Sequence, residues 1–174
     1  MSKTICLAFT GASGMPYGVR LLECLLAAGC SVQLLYSQAA QVVARQEMAV
    51  DLPSRPSEAK AALLARLPAA DPARLAVYGR EEWFAPVASG SNPPDAMIIC
   101  PCSMGTLAAI AQGLADNLIE RAADVVLKEG RKLVLVPRET PFSAIHLENM
   151  LRLSRVGAVI LPPSPGFYQH PQSV

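Results

Sequence analysis

Arg138 and Glu139 are the two adjacent residues of this 174-residue chain whose side chains and position could most directly do chemistry. They follow an apolar run over residues 133–137, which is typical of a strand buried on both faces. Open parallel sheets bind ligands just beyond the carboxyl ends of their strands. There a guanidinium can hold an anion and a carboxylate can move a proton. We therefore interpret the two residues as a candidate acid/base and anion-holding pair.

Two turns rich in small residues could bind a phosphate-bearing ligand. Residues 11–14 read Gly-Ala-Ser-Gly and follow an apolar strand, while Ser103 and Thr106 follow a second apolar strand. Backbone N–H groups at a helix N-terminus favour an anion. The first turn lacks the third glycine of the dinucleotide fingerprint, so a tight turn without a ligand remains an alternative. Two such turns on neighbouring strands favour a nucleotide or flavin pocket.

Arg121, Asp124 and Lys128 recur at spacings of three and four on a predicted helix. This spacing is typical of a solvated stripe of ion pairs, each contributing about 0.3 kcal/mol. The alternative is that the two cations point at a phosphate. Both interpretations stay open from the spacing alone.

The stretch from residue 51 to 94 holds seven of the fifteen prolines and separates two halves of regular pattern. Trp83, the single tryptophan, lies in it together with the Ala-Ser-Gly-Ser loop over residues 88–91. Such a loop could cover a site as a lid or lie on the surface without one.

Alternating strand and helix patterns must position these residues. We predict strands at 4–10, 31–36, 75–78, 96–100, 133–137 and 158–161, and helices at 17–28, 38–48, 57–66, from 107, at 117–128 and at 143–156. Ser37 and Ser143 are predicted N-caps, and Gly29 a C-cap. Strand-helix-strand alternation indicates an α/β fold with a mostly parallel sheet, and the length indicates one domain over residues 1–174.

The amino-acid composition limits the kinds of partner that the protein could bind. Hydrophobic residues make up 52% and charged residues 17%, which favours burial of surface in a homo-oligomer. A net charge of +1 without Lys/Arg runs argues against nucleic acid. Residues 96–115 carry no charge over a length that could span a membrane, but Pro101, Gly105 and Gly113 favour a strand, a turn and a helix instead. The N-terminus does not resemble a signal peptide, which makes the cytoplasm the expected location.

The five cysteines are expected to be reduced and mostly buried. Cys100-Pro101-Cys102 does not have the spacing of usual zinc ligand pairs, and the chain has only two histidines, His146 and His170. We therefore expect no metal site.

Motifs along the whole chain resemble those of the UbiX-type flavin prenyltransferases, a family of flavin-binding decarboxylase-like flavoproteins. The resemblance rests on residues 10–14, 17–23, 100–103, 117–124, 136–141, 146–151 and 165–168. It implies a single three-layer Rossmann-like or flavodoxin-like domain, assembled into a homododecamer with the flavin between subunits. It also implies metal-independent transfer of a dimethylallyl group from dimethylallyl monophosphate to N5 and C6 of reduced FMN. The product, prenylated FMN, would serve a separate decarboxylase.

The resemblance also implies residue roles. FMN would be held by Gly11, Ala12, Ser13, Ser37, Ser103, Met104, Gly105, Thr106 and Arg138. The prenyl phosphate would be surrounded by Ser89, Arg121, Lys128, Glu139 and Tyr168, with Trp83 beside the prenyl and flavin groups. Catalysis would involve Glu139, Glu47 and Ser13. Members of the family usually continue into a C-terminal helix that adds a basic residue to the phosphate, whereas this sequence stops at Val174.

Two other functions remain open. One is an FMN-dependent decarboxylase of the same superfamily that acts directly on an organic acid. The other is a flavin carrier or storage module without chemistry of its own, although storage alone does not require the cations Arg121, Lys128 and Arg138.

Overall fold

The computed structural model describes residues 2–164, in which six parallel strands form one sheet. The strands are β1 (Thr4–Phe9), β2 (Ser31–Tyr36), β3 (Leu75–Tyr78), β4 (Ala96–Cys102), β5 (Lys132–Pro137) and β6 (Val159–Ile160), in the order β3-β2-β1-β4-β5-β6. The chain moves outward from β1 to β3 and then returns to β4 on the other side of β1. The strand order therefore reverses between β1 and β4, which is where open α/β sheets bind their ligands.

Within the described residues, six helices cover the two faces of the sheet and make a three-layer domain. They are α1 (Met15–Ala27), α2 (Gln38–Met48), α3 (Pro56–Arg66), α4 (Met104–Ala111), α5 (Leu118–Lys128) and α6 (Ala144–Arg155). Short 3-10 turns lie at Pro72–Arg74 and Pro86–Ala88. One core packs α1, α2 and α3 on one face, and a second packs α4, α5 and α6 on the other. No helix of the described part is long and apolar enough to cross a membrane.

Successive side chains of a strand point to opposite faces of the sheet and so contribute to the two cores in turn. Cys6 and Ala8 of β1 point into the α4-α5-α6 core, while Leu7 and Phe9 point into the α1-α2-α3 core, and all four are fully buried. A strand covered on both faces gains from apolar residues at every position, which explains the unbroken apolar runs in the sequence.

Several element ends differ from the sequence prediction. Helix α1 begins at Met15 rather than residue 17, because Pro16 is tolerated in a first turn that needs no N–H from it. Helix α4 begins at Met104, since Ser103 is its N-cap. Strand β4 continues through Pro101 to Cys102, with irregular pairing to β5 after Ile99 because proline lacks the N–H for the ladder.

Candidate functional site

A cleft of about 320 Å³ opens beside the point where the strand order reverses. Its walls come from the ends of β1, β2 and β4 and from the start of α5. The lining residues are Gly11, Ser37, Gln38, Ala39, Arg80, Ser103, Thr106, Asn117 and Ile119.

Three helix N-termini meet at this cleft. Ser37 Oγ accepts a hydrogen bond from the Ala40 amide at 3.1 Å, and Ser103 Oγ accepts one from the Thr106 amide at 3.2 Å. Asn117 Oδ1 accepts from two amides in the first turn of α5, at 3.0 and 3.1 Å. Each N-terminus carries a partial positive charge, so their convergence makes the cleft suited to an anion such as a phosphate.

The turns after β1 and β4 are tied together by a buried threonine. Thr10 Oγ1 donates to the Pro101 carbonyl at 2.8 Å and accepts from the Ser103 amide at 2.8 Å. The next residue, Gly11, packs so closely on α2 that a Cβ would lie 2.4 Å from Ala39 Cβ. The two turns therefore form one rigid unit in which only glycine fits at position 11.

Glu47, on the last turn of α2, caps α1. Its carboxylate accepts from the amides of Gly14, at 2.9 Å, and Met15, at 2.8 Å. Burial by itself raises the pKa of Glu47, but hydrogen bonds from Ser13, Gly14 and Met15 and the charge of Arg138 outweigh it and lower the pKa. Ser13, Glu47 and Arg138 are thus neighbours, and the carboxylate stays ionised.

Arg138 and Glu139 lie immediately beyond β5, at the carboxyl edge of the sheet, and both are exposed. The Arg138 amide donates to the Cys102 carbonyl at 3.4 Å, which links this end of β5 to the turn before α4. Glu139 Oε1 accepts from the Thr140 amide at 3.0 Å. We call Ser13, Ser37, Glu47, Ser103, Arg138 and Glu139 the carboxyl-edge group.

Other residues predicted to contact substrate lie on α5 and the segment before β4. Arg121 donates to the Ala88 carbonyl at 3.1 Å and pairs with Asp124 at 2.7 Å. Lys128 pairs with Glu129, not with Asp124 as an ion-pair stripe would require. We call Trp83, Ser89, Arg121 and Lys128 the α5 group.

The loop over residues 88–91 packs on α5. Its Gly90 lies so close to the helix that a Cβ would come within 2.5 Å of Lys128 Nζ. Ser89 and Trp83 are both exposed, Trp83 to 44%. The loop is therefore docked on a helix of its own chain rather than placed over the cleft, and it leaves an aromatic and a hydroxyl facing outward.

Lys128 and Glu139 do not meet within one chain. Lys128 ends α5 just before Lys132 opens β5, while Glu139 follows the other end of that strand. A strand rises about 3.3 Å per residue, so Lys132 and Pro137 are about 17 Å apart. Lys128 and Glu139 consequently lie at opposite edges of the sheet.

Arg80, Gln38 and Asn117 line the cleft but were not predicted to be site residues. Asn117 had a detectable signal, since Asn before an apolar helix pattern is a frequent N-cap. No sequence pattern pointed to Arg80, because it lies in an irregular stretch and is far in sequence from the other residues that line the cleft. Tyr168 lies outside the described residues.

The cysteines beside the cleft are inert. Burial raises the pKa of Cys100 to about 11 and that of Cys102 to about 12. Both thiols stay protonated at neutral pH, so neither is prepared to act as a nucleophile. In the described part of the chain no three His, Cys, Asp or Glu side chains cluster as metal ligands would.

Comparison with known proteins decides the family. The family model "Flavoprotein" matches residues 1–170. The flavin prenyltransferase UbiX of Pseudomonas aeruginosa is 59% identical over 172 residues, which cover 99% of this chain and 82% of that protein. The chain belongs to the UbiX flavin prenyltransferase family. The UbiX protein of Methanocaldococcus jannaschii is 45% identical over 98% of this chain and 84% of its own length.

Solved structures of UbiX-type proteins have the same fold. AnUbiX (PadA1), in complex with FMN and dimethylallyl pyrophosphate, matches with a TM-score of 0.86 and 43% identity over 100% of this chain and 85% of that chain. The dodecameric FMN-dependent UbiX-like decarboxylase of Escherichia coli O157:H7 matches with a TM-score of 0.85 and 44% identity. The match covers 98% of this chain and 85% of that chain.

Proposed function

We propose that this chain is a flavin prenyltransferase formed by one domain over residues 1–174. It joins a dimethylallyl group, taken from dimethylallyl monophosphate, to N5 and C6 of reduced FMN. The prenylated FMN then serves a separate decarboxylase. The observation that carries the proposal is the 59% identity to a flavin prenyltransferase over 99% of the chain. We assign one role to each of the two groups.

The carboxyl-edge group and the cleft fit FMN. The anion-binding end is the cleft with its three helix N-termini, and the small turn over residues 11–13 lets the ligand approach the backbone. Arg138, at the edge of the same unit, anchors the flavin near the reacting atoms. The FMN-binding residues are Gly11, Ala12, Ser13, Ser37, Ser103, Met104, Gly105, Thr106 and Arg138.

The α5 group fits the leaving phosphate. When the bond from the prenyl carbon to the phosphate oxygen breaks, the phosphate gains negative charge that must be neutralised. Arg121 and Lys128 supply positive charge, Ser89 a hydroxyl, and Trp83 an apolar wall that excludes water from the reacting prenyl group. Tyr168 is assigned to the same phosphate from the sequence motif.

Proton transfer falls to the carboxylates. Glu139 moves a proton between the N5 side of the flavin and the departing phosphate. Glu47 stays ionised and holds the Ser13 hydroxyl, which orients Ser13 toward the flavin. When bound, reduced FMN supplies the nucleophilic N5 and C6.

A homo-oligomer brings the two groups together. Since Lys128 and Glu139 lie at opposite edges of the sheet, the α5 group of one protomer faces the carboxyl-edge group of a neighbour. Exposed apolar residues on α6, Ile145, Leu147 and Leu151, provide surface that further contacts between copies would bury. The UbiX-like protein of E. coli, which is dodecameric, supports the same assembly here.

The alternative is direct decarboxylation of an organic acid, because two similar solved proteins, at 38% and 44% identity, are called decarboxylases. Incubation of the full chain with reduced FMN and dimethylallyl monophosphate, followed by mass spectrometry of the flavin, separates the two functions. We expect the flavin to gain one five-carbon unit, and an unchanged flavin would favour the decarboxylase. A parallel reaction with dimethylallyl pyrophosphate identifies the donor.

A further inference from the structure

Arg80 is fixed at the mouth of the cleft by the start of α5. Its carbonyl accepts a hydrogen bond from the Leu118 amide at 2.9 Å, in the first turn after the Asn117 cap. Its side chain is exposed and lines the cleft together with Ser37, Ser103 and Thr106. The backbone contact therefore holds Arg80 beside the cleft where the three helix N-termini meet.

Arg80 is the one cationic side chain among the described residues that line this cleft. Three acids lie near it: Glu82 accepts from the Gly79 amide at 2.6 Å, Glu120 accepts from the Asp116 amide at 2.8 Å, and the neighbouring Glu81 is exposed. Within residues 2–164, Arg80 forms none of the ion pairs that the structure contains. Its charge is thus available to a ligand.

The cleft and the reacting groups occupy different places. Arg138, Glu139 and Glu47 do not line the cleft, whereas the helix caps do. If the phosphate of FMN occupied the cleft, Ser13 and Arg138, which lie outside it, would be left to hold the flavin ring. A phosphate monoester carries close to two negative charges at neutral pH, and a guanidinium can bind two of its oxygens at once.

We propose that Arg80 binds the 5′-phosphate of FMN and makes the site select FMN over riboflavin. This assignment rests on the proposed function, which places FMN in the carboxyl-edge group. It adds a cation to a phosphate site otherwise built from helix N-termini and hydroxyls.

Dissociation constants for FMN and riboflavin, measured by flavin fluorescence with the flavin-free full chain, test the assignment. We expect Arg80→Gln to weaken FMN about tenfold, the size of one charge-assisted contact, and riboflavin less than about twofold. Arg80→Lys should recover part of the loss, since it keeps the charge without the planar fork. Arg20→Gln removes an exposed arginine paired with Glu23, and as a control it should change neither constant.

Equal weakening of both flavins by Arg80→Gln, or an unchanged FMN constant, would overturn the assignment. Circular dichroism of each variant checks that a change in a dissociation constant does not come from unfolding. Failure of the proposed function has a different signature: a wild-type chain that binds FMN through Arg80 yet never prenylates it. Conversely, the wild-type chain would prenylate FMN normally while Arg80→Gln keeps the full preference for FMN over riboflavin. That result would support the proposed function and show that the Arg80 assignment is wrong.

Discussion

The carboxyl-edge group and the α5 group differ in how their side chains are held. In the carboxyl-edge group, Ser37, Glu47 and Ser103 are fixed by hydrogen bonds to backbone amides of helix N-termini. In the α5 group, Lys128 is held by an ion pair to Glu129. Arg121 is held by an ion pair to Asp124 together with one hydrogen bond to the Ala88 carbonyl, which lies in a loop rather than at a helix N-terminus. Exposed ion pairs contribute little, typically below about 1 kcal/mol, and leave long side chains mobile.

This difference shows which part of the site one chain builds by itself. A backbone amide cannot move without the helix, so Ser37, Glu47 and Ser103 are organised before any ligand arrives. The α5 group has charge and an outward-facing aromatic but no cleft of its own beside Glu139. It is therefore suited to complete a site on another copy of the chain.

The largest effect is expected from Glu139→Gln. Removing the proton carrier should lower prenylation at least about 100-fold, while FMN affinity changes less than about twofold. The flavin mass after reaction and an FMN titration measure the two quantities. Glu58→Gln, at an exposed pair with Arg55, is the control and should be fully active. Normal prenylation by Glu139→Gln would contradict the proton role, and a flavin carrier would be indifferent to both Glu139→Gln and Lys128→Ala.

Mixed oligomers test whether the two groups come from different copies. Glu139→Gln and Lys128→Ala should each be nearly inactive alone. If each site uses one group from each of two protomers, co-expression in equal amounts should restore about a quarter of the wild-type activity, because that fraction of sites is intact. Activity that stays at the level of the single variants would show that both groups act within one chain.

Much of the fold followed from local pattern. The caps Ser37 and Ser143, the strand over residues 31–36 and the helix over residues 38–48 were predicted with the bounds that the structure has. These features depend on neighbours within a few residues, which is the range over which periodicity and capping act.

The contacts that build the site are of longer range and were harder to predict. Glu47 caps α1 from 33 residues away, and the bare sequence offers no spacing that pairs it with Gly14. Only the family motif suggested that Glu47 lies near Ser13. Arg80 and Ser103 line the same cleft because β3 and β4 are parallel strands of one sheet and both end at its carboxyl edge, which local sequence does not show.

Substitution of Gly11 and of Gly90 by alanine tests how rigid the carboxyl-edge group and the α5 group are. Gly11→Ala places a Cβ 2.4 Å from Ala39 Cβ, which cannot turn away, so we expect a loss of about 2 kcal/mol in unfolding free energy and weaker FMN binding. Gly90→Ala meets the flexible ends of Lys128 and Glu129, so stability should change by less than about 0.5 kcal/mol while the KM for the prenyl donor rises. Urea denaturation and steady-state kinetics measure these changes. Gly105→Ala, with no neighbouring atom within 4 Å, is the control for the unfolding free energy alone, because Gly105 is itself assigned to FMN. Equal destabilisation by Gly11→Ala and Gly90→Ala would contradict the comparison.

The smallest effect concerns the charge of Glu47 at α1. Its folded pKa lies below the ordinary value of 4.5, so the carboxylate stabilises the fold above that pH and loses this contribution as pH falls through the folded pKa. Because Glu47 is largely exposed, solvent screens part of the interaction, and Glu47→Gln should cost about 0.5 to 1 kcal/mol at pH 7. Urea denaturation at pH 7 and near pH 3 should show the difference between wild type and variant shrinking in acid. The exposed Glu148→Gln serves as the control, and a difference independent of pH would mean that the Glu47 amide contacts, rather than its charge, hold the start of α1.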